Sequence, residues 1–319
     1  MLITLNHFDT IYKKNQIPFT LLVIILDNYC NAACKVCIAK HVFKSELCKD
    51  VCEKFSECHS LRCCDHTASD EDFYTNLRHV LETINSPYLS VIVSGGEPTL
   101  SPRFKDTFLL LDKFKSKISE ISLETNGANL RDSVIQNILL DHKVKILLNR
   151  YSANELDNLQ EFNYMTHPVT NEDLKFFIQT YNNQLQVNTI LLKKYIPDAQ
   201  ALLEMALAMK DLGIETHGFV EILADTTLSA SNKELMAYYD EQLVSANDLH
   251  QQLLDLGVEV VQEACSEVEG SRTYKKEGLE FTINYCKLDK KYQIAPNNFF
   301  RKFLVEPSGE IGIDSIEKE

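Results

Sequence analysis

The sequence predicts an α/β protein: a partial (β/α)6 barrel of the TIM type with a C-terminal α+β extension. Three observations predict it. Six apolar runs of strand length alternate with segments of helical period, and such alternation implies parallel pairing through helical crossovers. The cysteine-, glycine- and asparagine-bearing motifs follow directly after strand runs, where such barrels carry their chemistry. Beyond Ala224 the alternation gives way to a long helical stretch and several short strands.

The first strand is expected at 20–27 (TLLVIILD), apolar enough to be buried on both faces. Further strands are expected at 90–94, 118–123, 144–149, 185–191 and 214–222. Helices are expected between them at 70–84, 102–114, 130–140, 171–181 and 198–212. Asp70 and Asn171 stand where N-caps belong, and Gly213 where a helix C-terminal glycine belongs. In the extension, 231–256 reads as helical with a break, followed by strands at 258–262, 279–286, 300–306 and 310–313. The organisation is therefore an N-terminal segment (1–17), a barrel (18–225) with a Cys-rich insertion at about 38–69, and an extension (226–319) packed against the barrel.

Composition narrows the function. With 319 residues, 45% of them apolar and 24% charged, the chain can build a core without disulfides. A net charge of −14 and the lack of a dense Lys/Arg stripe argue against nucleic acid. No signal-peptide pattern is visible, and the early apolar run at 21–26 is far too short for a bilayer. A soluble, cytoplasmic protein without membrane contact is expected. Ten cysteines in a reducing compartment then point to metal ligands or reactive thiols.

Cys30, Cys34 and Cys37, with three and then two residues between them, follow the first strand. Three thiolates from one tight loop can bind three irons of a cubane and leave the fourth iron open. Inert buried thiols, or a zinc site borrowing a distant ligand, are the alternatives by spacing alone. One strand later stands Ser94-Gly95-Gly96-Glu97-Pro98. Its paired glycines permit positive φ and close backbone approach to a ligand. Glu124-Thr125-Asn126-Gly127 follows the third strand, Asn149-Arg150 closes the fourth, and Asn188 lies in the fifth.

The cysteine triplet together with the Gly-Gly-Glu-Pro turn resembles the signature of the radical S-adenosylmethionine (SAM) superfamily. More loosely, from Cys30 to about Leu223, the chain is similar to the branch containing the molybdenum-cofactor cyclase that acts on GTP. It lacks that branch's three C-terminal cluster cysteines, having only Cys265 and Cys286 in that region. The resemblance implies a radical SAM barrel whose 4Fe–4S cluster is held by Cys30, Cys34 and Cys37. It implies a SAM site along Gly95, Gly96 and Glu97, with Glu97 accepting from the SAM ammonium group. Thr125, Asn126, Asn149 and Asn188 would be further contacts, and Arg150 a partner for the SAM carboxylate. The implied activity is reductive cleavage of SAM to a 5′-deoxyadenosyl radical that abstracts hydrogen, with an electron donor such as flavodoxin or ferredoxin. A small-molecule substrate is expected. A peptide-modifying maturase and a non-catalytic metal-binding protein are the alternatives. Cys265 and Cys286 are the thiols to consider as hydrogen-atom donors.

Cys48, Cys52, Cys58, Cys63 and Cys64 crowd into 17 positions of the insertion. A second Fe–S cluster or zinc site is preferred there. A redox-active thiol near the substrate and a lid of chemically inert cysteines are the rival readings.

Overall fold

The computed structural model describes residues 2–3, 8, 19–27, 29–37, 69–222, 233–265, 269–286 and 300–313. Among these residues the strands are β1 (Leu2–Ile3), β2 (Phe19–Ile25), β3 (Tyr88–Ser94), β4 (Ile118–Thr125), β5 (Lys145–Arg150), β6 (Leu185–Ile190), β7 (His217–Val220), β8 (Glu259–Cys265), β9 (Glu269–Lys276), β10 (Leu279–Cys286), β11 (Phe300–Val305) and β12 (Ile311–Ile313). The helices are α1 (Asp70–Thr83), α2 (Phe104–Asp112), α3 (Ser133–Asp141), α4 (Glu155–Phe162), α5 (Asn171–Tyr181), α6 (Ala199–Asp211), α7 (Lys233–Gln242) and α8 (Ala246–Asp255). Two compact units contain them: Met1–Asn31 with Val42–Ile146 and Ile294–Glu319, and Ala32–His41 with Leu147–Gln293.

In the first unit the strand order is β1-β12-β11-β2-β3-β4. Strands β11, β2, β3 and β4 are mutually parallel, with Leu304 opposite Val23, Leu22 opposite Val91, and Val91 opposite Ile121. The apolar run of β2 is buried on both faces, with Leu22 and Ile24 fully enclosed on one and Val23 and Ile25 buried on the other, as parallel sheets require. A buried cation braces this layer. Arg103 Nη1 donates to the carbonyls of Leu26 (3.3 Å) and Pro307 (2.9 Å), and its Nε donates to Asp70 (2.8 Å). Its guanidinium also lies 4.4 Å from the Phe73 ring centre.

In the second unit the order β6-β7-β10-β9-β8 joins parallel β6, β7 and β10 to an antiparallel β10-β9-β8 meander. The β9–β10 hairpin turns through Glu277 and Gly278, both at positive φ, the backbone that two-residue hairpins favour. Strands of the 226–319 extension take part in both units. Its strand β11 pairs with β2 in one unit, and its β10 pairs with β7 in the other.

Several local expectations shift. Helices α1 and α5 are capped by Ser69 and Thr170, one residue before the expected Asp70 and Asn171. The Ser69 hydroxyl accepts from Asp72 N, and Thr170 forms a reciprocal capping box with Asp173. Asp70 instead joins the first turn, where a carboxylate complements the helix dipole. Gly213 does follow α6, at φ +94°. The expected break within 231–256 is real: Ser245 starts a new helix, accepting from Asp248 N. Helix α4 and strand β9 had no counterpart in the sequence reading. The first is short and exposes Leu156, and the second is almost wholly polar (EGSRTYKK).

Strand β6 alternates strictly: Leu185, Val187 and Thr189 are buried, and Gln186, Asn188 and Ile190 are half-buried. On the buried side His217 Nε2 meets Thr189 Oγ1 at 2.9 Å, and the imidazole lies against Phe219. Burial lowers the His217 pKa to about 3. Between that value and the ordinary 6.5, the unfolded chain takes a proton that the folded one refuses. Stability is therefore full above 6.5 and falls as the pH drops through this window, by up to about 1.4 kcal/mol per unit. Urea melts of His217→Gln are expected to lose stability less steeply than wild type between pH 6.5 and 4. Equal slopes would contradict this.

Candidate functional site

The ends of β2, β3 and β4 in the first unit hold the Cys30 approach, the Gly-Gly-Glu turn and the Thr-Asn-Gly turn. Gly95 has φ +148°, and a Cβ there would sit 2.7 Å from the Asp27 carbonyl oxygen. Only glycine lets the turn pass this close. The gain is a direct backbone lacing: Gly96 N donates to Asp27 O (2.9 Å) and Glu97 N to Tyr29 O (2.7 Å). Asp27 also accepts from Tyr29 N through its side chain (2.8 Å). The chain leading into Cys30 is thereby fixed from both sides.

Glu97 is fully enclosed. Its Oε1 accepts from Thr99 N (3.1 Å), Thr99 Oγ1 (2.5 Å) and Thr125 Oγ1 (2.7 Å), and its Oε2 accepts from Asn126 N (2.7 Å). Burial raises its pKa, and these four bonds pull the other way. A carboxylate offers about four acceptor sites. Four donors of the protein already engage Glu97, and no surface of it is exposed. Three of these donors meet Oε1 and one meets Oε2, and together they tie the Gly-Gly-Glu turn to the Thr-Asn-Gly turn. Thr125 Oγ1 in turn accepts from Gly127 N (2.9 Å).

Asn126 continues the chain of contacts. Its Oδ1 accepts from Ala128 N (3.0 Å), while its Nδ2 donates to Asn31 Oδ1 (2.8 Å) and to Cys30 Sγ (3.6 Å). Cys30 is buried. The motifs after three successive strands thus converge on one thiol.

In the second unit, Cys34 and Cys37 are half-buried beside a cluster of aromatic residues that the sequence reading missed. Ala33 N donates to Phe162 O (2.8 Å), and Cys34 Sγ lies 3.8 Å from that carbonyl oxygen. Phe162 stacks on Tyr164 and packs against Tyr151 at 4.7 Å between ring centres. Tyr239 donates to Val36 O (2.9 Å). Burial pushes the Tyr151 hydroxyl well up, and the neighbouring Cys34 and Cys37 sulfurs add to the rise. Burial and Cys37 likewise raise Tyr239 to about 12. Nearby, buried Glu161 pairs with Lys194 and accepts from Tyr238 (3.1 Å). Tyr151 and Phe162 lie at the ends of β5 and α4. Only their position after a strand run could have flagged them.

The remaining expected contacts divide. On β5 successive side chains point to opposite faces, so half-buried Asn149 and buried Arg150 do not share one. Arg150 Nη2 donates to Asn171 (2.8 Å), while its buried Nε has no partner among the described residues. Asn188 accepts from Gln186 (2.7 Å), and a Cβ on Gly218 would approach its Oδ1 to 2.7 Å. Cys265 and Cys286 end β8 and β10, and their side chains are outside the described set. Cys48, Cys52, Cys58, Cys63 and Cys64 lie outside the described residues altogether. Among the described residues, no three His, Cys, Asp or Glu side chains form a group that could hold a metal ion. A cubane does not require such a point, because each thiolate binds a different iron. No described helix is long and apolar enough to cross a membrane.

No family model matches the sequence, and no curated protein matches it. Solved structures do. Streptococcus suis SuiB bound to S-adenosylmethionine superposes with a TM-score of 0.54 at 15% identity, over 95% of this chain and 62% of SuiB. SuiB bound to the precursor peptide SuiA gives 0.51 at 15%, over 96% and 62%. The enzyme anSMEcpe, with bound AdoMet and the Cp18Cys peptide, gives 0.51 at 18%, over 75% and 59%. The chain thus spans about three-fifths of the length of these proteins. The likeness shows the fold, a mixed α/β architecture with parallel strands.

The Glu97 assignment is testable. Glu97→Ala leaves buried donors unpaired and is expected to lower stability by about 3 kcal/mol, read from denaturant midpoints. Weakened SAM binding at unchanged stability would contradict the internal role.

Proposed function

We propose that this chain is a radical SAM enzyme, with Cys30, Cys34 and Cys37 as the protein ligands of a 4Fe–4S cluster. The single observation that carries the reading is the convergence on buried Cys30. The Gly-Gly-Glu backbone fixes its approach, and an Asn126 N–H is aimed at its sulfur. Soft thiolates on one short loop suit iron–sulfur ligation. When bound, the cluster and SAM supply reductive carbon–sulfur cleavage and hydrogen-atom abstraction. The protein's own share is positional. Glu97 locks the two turns together, Asn126 orients toward Cys30, and the aromatic side chains around the Cys34–Cys37 segment exclude water. Arg150, whose buried Nε–H has no partner among the described residues, would meet the SAM carboxylate.

The substrate class has two readings. The sequence favoured a small molecule. The peptides held by SuiB and anSMEcpe favour a peptide-modifying role equally. A flavodoxin or ferredoxin is the proposed electron donor. Cys265 or Cys286 is the proposed thiol if a hydrogen atom is returned, and the insertion cysteines are proposed to hold any second centre.

Anaerobic reconstitution with iron and sulfide, followed by SAM and dithionite, is expected to yield 5′-deoxyadenosine. The Cys30→Ala, Cys34→Ala, Cys37→Ala triple variant is expected to yield none and to lose the SAM-responsive electron paramagnetic resonance signal. Full activity in the folded triple variant would refute the ligand assignment.

A further inference from the structure

The side-chain amide of Asn126 has its orientation dictated on every side. Its Oδ1 faces the Ala128 N–H, its Nδ2 faces Asn31 Oδ1, and its own backbone N–H is held by Glu97. A flipped amide would set oxygen against oxygen at Asn31 and N–H against N–H at Ala128. The second Nδ2 hydrogen is therefore directed at Cys30 Sγ, 3.6 Å away, in a buried setting that strengthens electrostatic contacts.

We propose that Asn126 sets the reduction potential of the cluster at Cys30 by donating an N–H···S hydrogen bond, and that Glu97 acts through it as a positioning residue. The proposal rests on Cys30 being a cluster ligand. One-electron reduction increases negative charge on the ligating sulfurs, so an N–H donor stabilises the reduced state more than the oxidised one. Glu97 keeps the donor in place by fixing the Thr125-Asn126 backbone from inside the turn.

The test uses the whole chain, reconstituted anaerobically without SAM and titrated with dithionite as the one-electron reductant. The midpoint is read by electron paramagnetic resonance. Asn126→Ala is expected to disfavour reduction by up to about tenfold, a downward shift of about 59 mV, at full iron content. Asn129→Ala removes another side-chain bond of the same turn, to Thr99 O, without touching sulfur, and is expected to leave the midpoint unchanged. Glu97→Gln is expected to shift it in the same direction as Asn126→Ala. The double variant is expected to go no further than the larger single shift, as for residues acting in one chain. Should Asn126→Ala fail to fold, Asn126→Asp keeps the acceptor for Ala128 and removes the donor, with the same sign expected. An unchanged midpoint in the folded Asn126 variant, or an equal shift in Asn129→Ala, overturns the proposal while leaving Cys30 a ligand. A wild-type chain that takes up no cluster overturns both readings.

Discussion

The buried Glu97 carboxylate is the constraint on which the site depends. An enclosed carboxylate is costly unless it is hydrogen-bonded, and this one accepts four bonds from two turns that follow two different strands. The same residue's backbone N–H holds Tyr29 O, one residue before Cys30. A single residue, through its backbone N–H and its carboxylate, therefore couples the ends of β2, β3 and β4. Gly95 makes this affordable in space, because any Cβ would push the turn off the Asp27 carbonyl.

The cysteines of the triplet meet different surroundings. Cys30 faces an amide donor and a hydrogen-bonded turn. Cys34 lies beside the Phe162 carbonyl and a packed aromatic group, with Tyr151 against its sulfur. If the two thiols ligate a cluster as proposed, polar donors at one and apolar shielding at the other would both tune it. They come from separate stretches of chain, so neither is implied by the Cys-x3-Cys-x2-Cys spacing itself.

Much of this was legible in the sequence. The strand runs at 20–27 and 185–191 stand out because burial on a parallel sheet leaves an apolar or alternating trace, and the helix at 171–181 is bounded as expected. The site motifs were legible as positions after strands. What the motifs do not carry is side-chain direction. Nothing in Gly-Gly-Glu-Pro shows that Thr99, Thr125 and Asn126 donate to Glu97. Nothing in Asn149-Arg150 shows beforehand which of the two is the buried one. Tyr151, Phe162 and Tyr239 carry no motif and become visible only through long-range packing. The polar strand β9 escaped because it borrows its pairing from β8 and β10 rather than announcing itself by hydrophobic period.

The central claim is that three thiolates hold a cubane with one iron left open for SAM. Mössbauer spectroscopy of the ⁵⁷Fe-reconstituted chain, with and without SAM, tests it most directly. The account predicts a cluster in which one iron of the four changes its signal when SAM is added. A spectrum that SAM leaves untouched at all four irons, or a chain that takes up zinc in place of iron at these cysteines, would contradict it.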